Sequence, residues 1–83
     1  MHAEQIYLTA LISPLVSYPE DVRVERKVDE RGVLLELHLN KEDMGKIIGK
    51  QGDTARALRR IMRQYGVMNE SHIALKINEP TYD

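Results

Sequence analysis

The segment Ile47-Ile48-Gly49-Lys50-Gln51-Gly52 holds two glycines three positions apart, with a lysine and a glutamine between them. Because glycine has no Cβ, the backbone at Gly49 and Gly52 can approach a bulky ligand and adopt positive φ angles at little cost. Lys50 adds a mobile positive charge. A helix beginning after the loop would add free N–H donors and a positive dipole end. Together these features predict a site for a phosphate backbone.

Positive charge is concentrated around this loop, although the chain as a whole is nearly neutral. The net charge of the 83 residues is −1, which argues against a strong general binder of polyanions. Residues 41–63 nevertheless hold seven basic and three acidic residues, whereas the rest of the chain holds five and ten. Such a polarised molecule can present one face to phosphate. The alternative is that the arginines only cover the solvated side of a helix.

The first predicted helix, over residues 3–17, is apolar on more than one side, and Pro14 should kink or end it near its last turn. One apolar row is expected to pack on a sheet: Ala3, Ile6, Tyr7, Ala10, Leu11 and Leu15. A second row consists of Leu8, Ile12 and Val16. A helix that is apolar on more than one side is either deeply buried or contacts a partner. Because the second row is not needed for that packing, we expect it to contribute to a contact with a second protein molecule.

The rest of the chain predicts a hairpin, two further helices and a last strand. Alternation over residues 22–28 and 33–39 indicates two antiparallel strands, with Val33, Leu35, Leu37 and Leu39 facing inward. Asn40 is the expected N-cap of a short helix over residues 41–48, with Asp43 at the capping-box position. A second helix over residues 53–65 should stop at Gly66, before a strand over residues 72–77.

The predicted order α-β-β-α-α-β gives an α+β fold, in which a three-stranded sheet carries three helices on one face. Residues 33–77, centred on Asp43-Met44-Gly45-Lys46-Ile47-Ile48-Gly49-Lys50-Gln51-Gly52, resemble a KH domain. The preceding helix and strand resemble the type II arrangement. The whole chain, including the segments at 18–24 and 54–59, is similar to the small bacterial single-KH RNA-binding proteins of the KhpA type. We therefore expect one KH domain over residues 1–83, with a tail at 79–83.

The resemblance implies a cytoplasmic RNA chaperone or regulator that pairs with itself or with a larger, Jag-type KH relative. Single-stranded RNA would meet the GxxG loop, as in other KH domains. The expected RNA-binding residues are Gly49, Lys50, Gln51, Gly52, Lys46, Ile47 and Arg56. The rival hypothesis is a protein-interaction module with a KH fold that docks such a partner. DNA binding is disfavoured only by the resemblance.

Several other classes of function are not supported by the residues present. The spacing between Gly45 and Gly49, which precedes Lys50, is one residue short of a Walker A motif, and Gln51 stands where that motif needs Ser or Thr. The three histidines, His2, His38 and His72, have no second ligand at metal spacing. With no Phe, no Trp and only four Tyr, stacking of bases on an aromatic sheet is poorly supported. We expect no catalysis, no cofactor and, without a cysteine or a leader-like start, a cytoplasmic location.

Overall fold

The computed structural model describes residues 1–78 and confirms the predicted order of elements. These are α1 (Ala3–Ile12), β1 (Arg23–Asp29), β2 (Gly32–His38), α2 (Met44–Ile48), α3 (Asp53–Met68) and β3 (Ile73–Asn78). Short 3-10 turns lie at Ser13–Leu15, Pro19–Asp21, Lys41–Asp43 and Lys50–Gly52. The tail predicted at 79–83 lies outside the described residues. No helix within residues 1–78 is both long and apolar enough to cross a membrane.

The sheet has β2 at its centre, paired antiparallel with β1 and parallel with β3. The parallel pairing requires a crossover, which α2 and α3 supply between the two strands. As the alternation predicted, Val33, Leu35, Leu37 and Leu39 are all buried. Helices cover only this face of the sheet, and their core side chains are Leu8, Ile12, Met44, Ile47, Leu58 and Met62.

The prediction for α1 is wrong about which side of the helix faces the sheet. Leu8 and Ile12 are fully buried, and Val16 packs partly against the core. The row assigned to the sheet instead leaves Ile6 and Tyr7 exposed. A helix with apolar residues all round offers no periodicity that could orient it.

Polar contacts to β1 help to fix the orientation of α1. The Gln5 side chain donates a 2.9 Å hydrogen bond to the carbonyl oxygen of Val24. Glu4 forms an ion pair with Arg26. Leu8 lies one turn after Glu4, so these contacts turn it toward the core. As predicted, the α-helix ends before Pro14, at Ile12.

Asp43 connects the segment after α1 to the start of α2. This role differs from the capping-box role that the sequence predicted. Its carboxylate accepts hydrogen bonds from the backbone N–H groups of Ser17, at 2.8 Å, and Tyr18, at 3.0 Å. The residue is only 1% exposed. The N-cap prediction itself is confirmed, because the Asn40 side chain accepts a 2.8 Å bond from the N–H of Glu42.

Removing the charge at Asp43 should destabilise the fold in a pH-dependent way. Burial alone would raise the pKa of Asp43, but the N–H groups of Ser17 and Tyr18 and the Lys46 ammonium outweigh it and lower the pKa below the ordinary 3.8. A lowered folded pKa adds stability above the unfolded pKa of about 4, and this stability is lost as the pH falls through the folded value.

We therefore expect Asp43→Asn to melt several degrees below the wild type at pH 7, with a gap that narrows as the pH falls below about 4. Thermal denaturation of both proteins across this range tests it. All other carboxylates are common to the two proteins and cancel in the comparison. A gap of equal size at every pH would mean that the charge of Asp43 contributes nothing.

Gly66 does not end α3, as the sequence predicted, because the helix continues to Met68. Gly66 is buried, and a Cβ atom there would lie 2.7 Å from the carbonyl oxygen of Ser71. The chain reverses later, at Asn69 and at Glu70, whose φ is 54°. The glycine is needed for close approach of the returning chain rather than for a left-handed cap.

Candidate nucleic-acid interface

The loop between α2 and α3 is a compact turn with an unusual backbone. Gly49 and Gly52 have φ angles of 75° and 77°, and Gln51 between them has a φ of 56°. The N–H of Gly49 donates a 2.9 Å hydrogen bond to the carbonyl oxygen of Gly45, and the N–H of Gly52 donates a 3.3 Å bond to the carbonyl oxygen of Gly49. Lys50 and Gln51 are exposed at the tip. The loop therefore presents a charged and a polar side chain on a fixed backbone.

The two glycines are required for different reasons. A Cβ at Gly49 would lie 2.4 Å from Thr54 Oγ1 and 2.9 Å from the Thr54 nitrogen, so any side chain would push against the start of α3. A Cβ at Gly52 would meet only the flexible end of Arg56, at 3.3 Å. Gly52 is the N-cap of α3 and supplies no side chain to its first-turn N–H groups. Those donors and the helix dipole favour an anion beside the loop.

A groove of about 210 Å³ begins beside the loop and runs between α3 and the edge of β3. Its lining consists of Ile48, Gly52, Ala55, Arg56, Arg59 and Ile77. Apolar side chains from three elements form its floor, and two arginines lie at its rim. Among residues 1–78, β3 pairs with β2 alone, and its other edge borders the groove. Such a groove can hold an apolar base face while cations meet the phosphates.

A larger cavity of about 290 Å³ lies at the opposite end of β3, beside the β1–β2 turn. Its charged groups are of both signs, since Asp29 and Arg31 both line it. It is far from the glycine loop and offers no concentration of positive charge. The smaller groove is therefore the better candidate for a polyanion.

The structure brings five of the seven predicted binding residues together and places the other two, Lys46 and Ile47, away from the groove. Gly49, Lys50, Gln51 and Gly52 form the loop, and Arg56 reaches the groove while paired with Asp53. Lys46 is set back, because its ammonium contacts the Ser17 hydroxyl and lies 3.5 Å from Asp43.

Ile47 is the misplaced residue. It is 0% exposed and belongs to the core, as does Met44, so neither side chain can edge the groove in this conformation. Ile48 is partly buried against the core and also lines the groove. Helix α2 spans five residues, too few for periodicity to show which of two adjacent isoleucines faces inward.

Two groove residues were not predicted as part of the site. Arg59 lies one turn beyond Arg56, and its Nε donates to the Leu75 carbonyl oxygen at 3.3 Å. Ile77 comes from the far end of β3. The helical spacing of Arg56 and Arg59 was a usable signal for the first. The position of Ile77 depends on the crossover between parallel strands, which no local pattern reveals.

Within the described part of the chain, one cluster has the composition of a metal site. Glu25, Glu36 and His38 bring their ligand atoms within 4.8 Å of one another on the uncovered face of the sheet. Glu25 already pairs with Arg23 at 3.1 Å, and Glu36 with Lys27 at 2.9 Å. Since both carboxylates have cationic partners, the cluster is explained as a surface ion-pair network.

Comparison with known proteins adds independent evidence for the fold and its family. The model of the KhpA/KhpB KH domain matches residues 5–77. A Bacillus subtilis relative, named RNA-binding protein KhpA, is 37% identical over 76 residues, covering 92% of this chain and 93% of its own. A Listeria monocytogenes protein of the same name is 38% identical over 72 residues, covering 87% and 95%. A third KhpA, from Leifsonia xyli, is 46% identical over 55 residues, covering 66% and 72%.

No solved structure matches the chain. The family match and the relatives nevertheless span nearly all the described elements, and the α-β-β-α-α-β order agrees with a type II KH fold. The chain therefore belongs to the KhpA/KhpB family of KH domains.

Proposed function

We propose that this chain is a single, non-catalytic KH domain that binds single-stranded RNA in the bacterial cytoplasm, as an RNA chaperone or post-transcriptional regulator. The observation that carries the proposal is the glycine loop with exposed Lys50 and Gln51, placed at the mouth of a groove with arginines at its rim. The names of the relatives, which are RNA-binding proteins, support RNA as the ligand.

Each part of the interface has a separate task. Gly49 and Gly52 let the phosphate backbone approach closely, while Lys50 and Gln51 contact phosphate and sugar. Arg56 and Arg59 attract phosphates along the rim. Ile48 and Ile77 offer an apolar surface to the bases, in place of the aromatic platform that the chain lacks. Without stacking on aromatic rings, affinity should be modest and sequence preference loose.

The salt dependence of binding tests this use of the cations. If three or four of the basic side chains meet phosphates, log K should fall with log salt at a slope of roughly −2 to −3, at ~0.7 per contact on a single strand. Titration of a short labelled RNA by fluorescence anisotropy at several salt concentrations gives the slope. Lys50→Ala should reduce the magnitude of this slope more than Arg63→Ala does, because Arg63 lies farther from the loop. A flat dependence would show that these cations are only a solvated surface.

A second proposed activity is pairing with another KH molecule, and a specific surface favours it. Tyr7 and Tyr65 stack with ring centroids 4.9 Å apart and planes 20° apart, joining α1 to α3. Ile6 is 53% exposed and Ile61 39% exposed on the same two helices. We call Ile6, Tyr7, Ile61 and Tyr65 the α1–α3 patch.

We propose that the α1–α3 patch forms a homodimer contact or docks a larger Jag-type KH protein. The patch takes the place of Leu8, Ile12 and Val16 as the candidate contact surface, because those three side chains pack in or against the core. A self-complementary contact about a two-fold axis is the simplest way to bury such a surface. Two linked RNA sites would then raise the avidity for longer RNA.

A further inference from the structure

Helix α3 continues the line of arginines beyond the groove. Arg56, Arg59, Arg60 and Arg63 are all exposed and follow the spacing i, i+3, i+4 and i+7, which places them along one side of the helix. The first two line the groove, whereas Arg60 and Arg63 do not. We call Arg60 and Arg63 the outer ridge.

The arginines of α3 are short of negative partners. Asp53 is the only acidic residue in the helix, and it pairs with Arg56. Among residues 1–78, Arg59, Arg60 and Arg63 make no ion pair, whereas Arg23, Arg26, Lys27, Arg31 and Lys46 each have a carboxylate partner. Lys41, Lys50 and Lys76 make no ion pair within these residues either, but among the described residues only α3 carries several such cations on one side of one helix.

This arrangement works against the helix itself. Like charges three and four residues apart repel each other, and the four arginines form such pairs repeatedly. The repulsion is relieved when phosphates lie along the row. A row of four arginines that has one carboxylate partner among residues 1–78 and begins at the mouth of the groove is therefore better explained by a polyanion than by solvation alone.

We infer that RNA longer than the groove continues onto the outer ridge, where Arg60 and Arg63 bind its phosphates without reading its bases. This inference rests on the proposed RNA binding in the groove. A KH loop clamps about four nucleotides, so longer RNA must leave the groove. From Arg56 to Arg63 the helix advances roughly 10 Å, enough for further phosphates. The domain would thus favour long single strands over short ones.

The test compares two RNA lengths in two matched variants. Arg60→Gln with Arg63→Gln removes the charge of the outer ridge but keeps side-chain length and helix propensity. Arg23→Gln with Arg31→Gln is the control, because it removes the same charge from exposed sites away from the groove. Anisotropy titrations use oligouridylate of four and of twelve nucleotides. Far-UV circular dichroism and sedimentation check that fold and association state are unchanged.

We expect the ridge variant to bind the twelve-nucleotide RNA about tenfold more weakly at low salt, with the slope of log K against log salt reduced by ~1.4. Its affinity for the four-nucleotide RNA should stay within about twofold of the wild type. The control variant should match the wild type at both lengths.

Equal losses of affinity for the two RNA lengths would overturn the inference, since the arginines would then act through the overall electrostatic attraction between the domain and RNA. Unchanged affinity for both RNA lengths would also overturn the inference. The outer ridge would then contact an acidic protein partner or only solvent. If the wild type binds neither RNA, the proposed function fails, and the inference fails with it. If the wild type binds both RNAs equally tightly and the ridge variant is unaffected, only the inference fails.

Discussion

Replacing both Lys50 and Gln51 by aspartate is expected to abolish RNA binding while the protein stays folded. The change puts two negative charges at the tip of the loop, where phosphate would lie, and removes the loop's own cation. Both positions are exposed, so stability should change by only ~0.5 kcal/mol. Gln51 has a positive φ, and aspartate is among the residues that accept this conformation. RNA affinity should therefore fall at least about a hundredfold.

The matched control is Arg31→Asp with His72→Asp, which changes the net charge by the same amount. These residues line the cavity at the β1–β2 turn, at the other end of β3 from the glycine loop. Anisotropy titration with one short RNA compares the two variants, and thermal denaturation verifies both folds. Unchanged affinity in a folded loop variant would sink the proposed role of the loop. An equal loss in the control would assign the effect to net charge instead of to the loop.

The sheet and the loop are the parts of this protein that the sequence predicted best. Alternation along β2 identified every inward-facing residue from Val33 to Leu39, because side chains of a strand alternate strictly between two faces. The glycine spacing identified the loop, but not that Gly49 alone lies against Thr54. That difference depends on the path of the backbone from Gly49 to Thr54, which the spacing of the glycines does not specify.

The errors arose where local pattern does not determine orientation. Helix α1 has apolar residues on all sides, and a hydrogen bond from Gln5 to β1 helps to decide which side is buried. Gly66 has the position of a helix stop, yet glycine is required there because the backbone of Ser71 leaves no room for a Cβ atom. Ile47 and Ile48 are adjacent in a helix too short to show a period. In each case the packing of the folded chain, rather than the local pattern, determines the outcome.

The orientation of α1 determines the effect of a charge at Ile12, which the sequence had placed in a partner contact and the structure places in the core. This side chain is 0% exposed in the core, so Ile12→Glu would bury a carboxylate without a partner. We expect a loss of about 3–5 kcal/mol, which is about all the stability that a single core of this size supplies. The variant should therefore be largely unfolded by circular dichroism at 25 °C. A folded Ile12→Glu protein would show that α1 is not docked as described.

Ile61→Glu is the companion variant, because it places the same charge in the α1–α3 patch, where 39% of the residue is exposed. We expect it to remain folded and to be monomeric in sedimentation equilibrium at concentrations where the wild type is a dimer. A wild type that stays monomeric at high concentration removes the homodimer. A dimer that persists in folded Ile61→Glu places the contact elsewhere on the surface. Since one variant should lose the fold and the other only the association, the pair separates the core side of α1 from the exposed patch that it shares with α3.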